Sequence, residues 1–155
     1  MKTLIYKNQF YRLKDYIEDF YEVQVYQEAG QDDTWDPNEG IIKINKNLKY
    51  RERLFSLLHE LGHVIIDSSV KFEDTICFNK QYPENIKSKN MLVHTLNEEV
   101  LAWNKGKEIA TLLNFKYNEN DLDDYMTKCI MSYIKSGLND IYKENINIDF
   151  INAGI

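Results

Sequence analysis

The sequence predicts a small α+β fold that forms a single domain over residues 1–155. In four segments the apolar residues recur every three or four positions, which is the period of an amphipathic helix. Two short alternating segments lie between the first and second of these helices and predict a small sheet. With 43% hydrophobic residues, the chain has enough apolar side chain for one core and too much for a disordered class.

Charge and cysteine content exclude several classes of protein. The 25 acidic and 19 basic residues give a net charge of −6, which disfavours direct binding to nucleic acid or to an anionic membrane. No apolar run approaches the roughly 20 residues that cross a bilayer. Cys77 and Cys129 have no spacing typical of a disulfide framework or a cysteine metal site, so neither is a candidate ligand. We therefore expect a cytoplasmic protein, and a DNA-binding regulator is poorly supported.

The first part of the chain is predicted to place the small sheet between two helices. Residues 23–26 and 40–45 form the strands, and the segment 30–40 between them is rich in turn-forming residues. The first helix spans residues 8–20. Its apolar face comprises Phe10, Leu13, Ile17 and Phe20.

The second helix is predicted from about residue 49 to residue 66. Residues 67–93 follow with weak periodicity, and a connection of this length is typically a functional loop or an insertion. The apolar stripe of the second helix comprises Leu54, Leu57, Leu58, Leu61 and Ile65.

Two further helices are expected after this segment. Thr95 and Glu98 match a capping box, in which each side chain satisfies a free backbone amide, so the third helix is predicted to begin there and to end near residue 113. The fourth helix is predicted over residues 119–136, with Gly137 as its C-terminal stop. The remaining residues, 138–155, give no assignable pattern.

The second helix carries the pattern His59-Glu60-Leu61-Gly62-His63, which is the HExxH motif. Residues four apart stack on one helical face, so His59 and His63 can present imidazole nitrogens to one tetrahedral ion, for which zinc is expected. Glu60 lies about 100° around the helix, where it can act as general base on a metal-bound water. Gly62 costs about 0.5–1 kcal/mol relative to Ala inside a helix, which suggests close packing against its backbone.

A catalytic zinc site needs a third protein ligand and one open position. Asp67 lies four residues beyond His63 on the same face and remains an alternative. Glu98 is assigned to the helix cap, which leaves Glu99 as the preferred ligand. Glu99 also shares a face with small residues that would let the HExxH helix approach closely. This face comprises Ala102, Gly106, Ala110 and Leu113.

The run Leu58 to His63, followed by Glu99-x-x-Ala102, resembles the small gluzincin-type metallopeptidases of the ImmA/IrrE-like group. The resemblance covers about residues 40–113. It implies a zincin-like fold with an N-terminal helix, a short antiparallel sheet, an HExxH helix and a Glu-bearing helix. It also implies Zn²⁺ as cofactor and cytoplasmic proteolysis of transcriptional repressors encoded beside such peptidases on phages or mobile elements.

These observations favour a zinc-dependent endopeptidase with Glu60 as the catalytic base. The alternative function is a metal-containing binding module that grips a partner protein without cleaving it. For a peptidase, we expect residues 41–44 to form the sheet edge that holds the substrate, and residues 67–93 to close over it. His94 is a candidate donor to the oxyanion that develops during cleavage.

Overall fold

The computed structural model describes residues 2–69 and 88–152, with side chains for residues 3–69 and 88–143. These residues form four helices and a three-stranded sheet, which confirms the α+β class. The elements are α1 (Lys2–Tyr21), β1 (Gln24–Glu28), β2 (Thr34–Asp36), β3 (Ile41–Asn45), α2 (Tyr50–Ser69), α3 (Lys89–Leu112) and α4 (Glu119–Asn152). None of the helices in the described part of the chain is long and apolar enough to span a bilayer.

Helix α1 begins earlier than predicted, and its apolar face differs at one position. Phe10, Leu13 and Ile17 are fully buried, as expected. Phe20 was expected on the same face, but it is 68% exposed and stacks on another aromatic side chain of α1. The chain turns at Glu22, where φ is 56°, and Val23 reaches the core instead.

The sheet is mixed, so the predicted antiparallel sheet is wrong for two of its strands. Its order is β1-β3-β2, with β1 parallel to β3 and β2 antiparallel to β3. The sequence analysis missed β2, which lies inside the turn-rich segment. Because the chain reverses once before β2 and again after it, β1 and β3 run in the same direction.

Strand β3 is central, so the prediction that residues 41–44 form a substrate edge is wrong. Lys43 lies between Tyr26 of β1 and Thr34 of β2, and both sides of the strand are paired. A proline at Lys43 would therefore disrupt the sheet itself. Within the described residues, β2 pairs on one side only and forms the edge next to α2.

The main core lies between α1, the sheet and α2. Helix α2 begins one residue after its predicted start and continues to Ser69, three residues beyond the predicted end. Its apolar stripe is buried except for Ile65, which is partly buried at the edge of the core. The central core residues include Phe10, Leu13, Ile17, Val25, Ile42, Ile44, Leu54, Leu57, Leu58 and Leu61.

Helix α3 begins at Lys89, so the predicted capping box is wrong. Ser88 is the N-cap, and its hydroxyl accepts a hydrogen bond of 3.2 Å from the Met91 amide. Thr95 and Glu98 lie inside the helix, where the backbone amides already have helical partners. The helices α2 and α3 therefore extend into both ends of the predicted connection over residues 67–93. Residues 70–87, including Cys77, lie outside the described residues.

Helix α4 passes through Gly137, so the predicted stop at this glycine is wrong. Gly137 is buried, and Ile141 one turn later is 6% exposed. Burial of this face offsets the cost of a glycine inside a helix, which is about 0.5–1 kcal/mol.

The N-terminus of α4 is capped by Asn118, whose side-chain oxygen accepts a hydrogen bond from the Asn120 amide at 2.9 Å. The segment that the sequence left unassigned is helical to Asn152.

Helices α2 and α3 touch through their backbones, as the small residues predicted. A Cβ atom on Gly62 would lie 2.0 Å from the carbonyl oxygen of Ala102. A Cβ atom on Gly106 would lie 2.5 Å from the carbonyl oxygen of Leu58. Both distances are far inside van der Waals contact, so the two helices can approach this closely only with glycine at these positions.

We expect Gly62→Ala to lower the free energy of unfolding by about 3 kcal/mol, because overpacking against a backbone outweighs the gain in helix propensity. Gly30→Ala is the matched control. Its φ is +72° and nothing lies within 4 Å, so only backbone strain of about 1–2 kcal/mol is added. Denaturant unfolding measures both losses, and a Gly62→Ala protein as stable as wild type would contradict the close helix contact.

Candidate metal centre

Helices α2 and α3 bring His59, His63 and Glu99 into one buried group. The three residues are 7%, 7% and 2% exposed. The two Nε2 atoms of His59 and His63 are 3.2 Å apart. The carboxylate oxygens of Glu99 lie 3.0 Å from Nε2 of His59 and 3.5 Å from Nε2 of His63. The two histidines come from successive turns of one helix, and the carboxylate comes from the neighbouring helix.

The geometry of this group fits a tetrahedral metal ion. With bonds of about 2.0–2.1 Å, ligand atoms on a tetrahedron lie about 3.3–3.4 Å apart. The observed separations of 3.0 to 3.5 Å are close to this spacing, with one carboxylate oxygen of Glu99 facing His59 and the other facing His63. Within the described residues, His59, His63 and Glu99 are the group of His, Cys, Asp or Glu side chains that can hold a metal ion together.

The charge state of the group also suits a cation. Burial acts to raise the pKa of Glu99, but hydrogen bonds and charge interactions with His59 and His63 outweigh it and lower this pKa to about 2. Burial raises the pKa of Glu60, although both histidines act in the opposite direction. The carboxylate of Glu99 is thus held ionised between the two imidazoles. Burial favours the neutral form of Glu60.

The indole of Trp103 packs against the face of the His59 ring. The two rings stack with centroids 4.4 Å apart and an angle of 24° between their planes. Nδ1 of His59 has no hydrogen-bond partner among the described residues, whereas histidine ligands usually donate from their second nitrogen. Stacking on the buried indole therefore orients this imidazole. Trp103 lies one helical turn after Glu99, a spacing that would have pointed to it in the sequence.

Two clefts meet at Glu60, which is 6% exposed and lines both of them. The first, called here the α4 cleft, has a volume of about 370 Å³ and is bordered by His59, Trp103 and one face of α4. The second, called the β2 cleft, has a volume of about 310 Å³ and is bordered by Thr34, Trp35 and His63. A chain passing from one cleft to the other would cross the metal group.

The other candidate residues do not belong to the metal-binding group. Asp67 accepts a hydrogen bond of 2.8 Å from the indole N–H of Trp35, which ties β2 to α2, and it does not join the metal-binding group. Glu98 is 3.9 Å from Nδ1 of His63 and has a side chain 40% exposed. His94 lies on an exposed face of α3. Cys129 borders the α4 cleft, and burial raises its pKa to about 11, so its thiol stays protonated.

Two residues that sequence reasoning missed also border the centre. Asp33 and Tyr133 line both clefts beside Glu60. Tyr133 is 38% exposed, and partial burial together with the charges of Glu99 and Glu60 raises the pKa of its phenol further above neutral pH. Neither residue belongs to a recognisable local motif, because the turn before β2 and the length of α4 bring them to the site.

A family profile described as the IrrE N-terminal-like domain, Peptidase M78, matches residues 15–117. The chain belongs to this family. The match covers about two thirds of the chain and confirms the resemblance to ImmA/IrrE-like metallopeptidases drawn from the HExxH motif. No curated protein and no solved structure matches the chain significantly. The M78 profile ends before α4, so the helix that carries Tyr133 lies outside the matched segment.

If the three residues bind the metal, single changes to alanine at His59, His63 or Glu99 should each lower metal content per chain to below about one tenth after dialysis, because even the loss of a residue that only hydrogen-bonds to a ligand lowers metal affinity about tenfold to a hundredfold. Glu98→Ala is the control, since it removes the adjacent carboxylate from the same helix. Elemental analysis of the folded proteins measures the difference. Equal metal content in Glu99→Ala and Glu98→Ala would exclude Glu99 as a ligand.

Proposed function

We propose that this M78 protein is a zinc-dependent endopeptidase that acts in the cytoplasm on a transcriptional repressor. The observation that carries the proposal is the position of Glu60 beside the His59–His63–Glu99 group, where the two clefts meet. The repressor as substrate rests on the family resemblance. Family membership supports a metallopeptidase-like function.

Two imidazoles and one carboxylate form a donor set typical of catalytic zinc, with a fourth position left for water or substrate. A zinc ion bound there would polarise the peptide carbonyl and make a water molecule more acidic. His59, His63 and Glu99 would hold the ion, and Trp103 would keep the His59 ring in place.

Glu60 then moves the proton that peptide hydrolysis requires. Its carboxylate accepts a proton from the attacking water as the new C–O bond forms, and returns it to the amine nitrogen as the C–N bond breaks. Tyr133 can donate a hydrogen bond to the carbonyl oxygen of the scissile bond. Tyr125 is the other tyrosine of the α4 cleft, and its hydroxyl is 2.9 Å from the hydroxyl of Ser56, a contact that already engages it.

Strand β2 takes the substrate-binding role that the sequence assigned to β3. It is the sheet edge beside the site, and Thr34 and Trp35 border the β2 cleft. A peptide added to this edge is held in an extended form by backbone hydrogen bonds. The Trp35–Asp67 hydrogen bond joins the edge strand to the HExxH helix.

Glu60→Gln should lower cleavage of a repressor encoded beside this protein by about 10²–10⁴-fold, because it removes the base while preserving shape. Metal content and the unfolding midpoint should match wild type. Gel analysis of fragments over time gives the rate. If Glu60→Gln keeps the full biological effect on the repressor, the protein is a binding module rather than a peptidase.

Tyr133→Phe should lower kcat by about 10²-fold with little change in KM, as loss of a donor to a developing oxyanion does. Tyr142→Phe is the control, since Tyr142 lies on the same helix and is 63% exposed. Steady-state kinetics on one cleaved peptide, with metal content checked, separates the two variants. A Tyr133→Phe enzyme with wild-type kcat would show that another group supports the oxyanion.

A further inference from the structure

The α4 cleft has an acidic lining where it borders the residues just before β2. Asp32 and Asp33 border it, and no lysine or arginine is among its described lining residues. Its third carboxylate, Glu60, belongs to the reaction itself. Asp33 is half-buried and Asp32 is exposed, and the described residues that border the cleft supply no cationic side chain, so this lining favours a positively charged occupant.

Asp33 is fixed in position and its charge reaches the cleft. One of its carboxylate oxygens accepts a hydrogen bond of 2.7 Å from the Asn45 amide. Burial is the main cause that raises the pKa of Tyr125 to about 12 and of Cys129 to about 11, and the negative charge of Asp33 adds to both shifts. Tyr125 and Cys129 border the cleft from α4, and Asp33 borders the same cleft from the residue before β2.

Neutral groups of the cleft complete a site for a peptide with a cationic side chain. The hydroxyl of Ser132 donates to the Cys129 carbonyl at 2.7 Å, which leaves its oxygen as an acceptor. Trp103 borders the cleft and is 2% exposed, and its indole N–H has no hydrogen-bond partner among the described residues. Such a buried donor lacks an acceptor that a substrate carbonyl can supply.

We propose that the α4 cleft binds a lysine or arginine side chain next to the scissile bond of the substrate, and that Asp33 is the residue that selects it. This inference rests on the proposed peptidase function. Asp33 immediately precedes β2, so a peptide that follows this edge passes Asp33 as it reaches Glu60. An apolar side chain in the same place would desolvate the carboxylates without pairing them.

Cleavage of a peptide library randomised over eight positions tests the preference. Mass spectrometry of the products from wild-type enzyme should show lysine and arginine enriched at one position adjacent to the cleaved bond. Cleavage without enrichment of basic residues would overturn the inference and leave the peptidase function standing. A metal-loaded enzyme that cleaves no library member and no repressor would contradict the peptidase function as well.

Asp33→Asn keeps an oxygen for the Asn45 amide and removes the charge. It should lower the ratio of kcat/KM for a lysine peptide to kcat/KM for its methionine analogue by about tenfold. Asp123→Asn is the control, because it removes one charge from an exposed residue of α4 that pairs with Lys107. An unchanged ratio in Asp33→Asn would overturn the assignment.

Binding provides a second readout that does not depend on turnover. In the Glu60→Gln background, the lysine peptide should bind more tightly than the methionine analogue, and Asp33→Asn should remove most of this difference. Calorimetry at two salt concentrations measures it, since a charge pair weakens with ionic strength. Equal affinities for both peptides in the Glu60→Gln protein would contradict the role of Asp33 even if cleavage is slow.

Discussion

The site depends on the backbone contact between α2 and α3. Glycine at positions 62 and 106 removes two Cβ atoms that would lie 2.0 and 2.5 Å from carbonyl oxygens of the facing helix. Because the helices meet this closely, the carboxylate of Glu99 reaches both histidines of the neighbouring helix. A wider separation would leave two imidazoles without a third donor. The glycines that set the distance between the two helices therefore also determine how far Glu99 lies from His59 and His63.

Burial of this group is costly, and its surroundings show how the fold tolerates it. The carboxylate of Glu99 is 2% exposed, and its oxygens lie 3.0 Å from Nε2 of His59 and 3.5 Å from Nε2 of His63, while one oxygen has no hydrogen-bond partner among the described residues. On one side the Trp103 ring fixes His59 by stacking. On the other side the Trp35–Asp67 hydrogen bond joins the edge strand to the same helix. Rigid elements thus support the donors directly, as a preorganised site requires.

The sequence predicted which residues come together at the centre better than it predicted the topology. His59, Glu60, His63 and Gly62 were identified because their spacing on one helix already defines their relative positions. Glu99 was preferred partly for a wrong reason, since Glu98 has no capping role. The face shared by Glu99, Ala102 and Gly106 correctly predicted the neighbouring helix, because small residues allow two helices to approach closely.

The features that the sequence could not give depend on distant contacts. Strand β2 has three residues inside a turn-rich segment, and it is a strand because β3 lies beside it. Gly137 looked like a helix end, yet burial of the α4 face around Ile141 carries the helix onward. Phe20 fitted the apolar period of α1, but the turn at Glu22 places Val23 in the core. Each error comes from tertiary packing that overrides a correct local preference.

The division between the family-matched segment and α4 bears on how selectivity arises. The HExxH helix and the Glu-bearing helix lie within residues 15–117, and α4 adds a wall to the cleft from outside that segment. The chemistry of the metal group places strict limits on distances, whereas the wall only has to present the right surface. Substitutions on the cleft-facing side of α4 can therefore change which side chain is accepted without moving the donors of α2 and α3. The carboxylate of Asp33 is held by the sheet rather than by α4, so charge selection and cleft shape are set by separate elements.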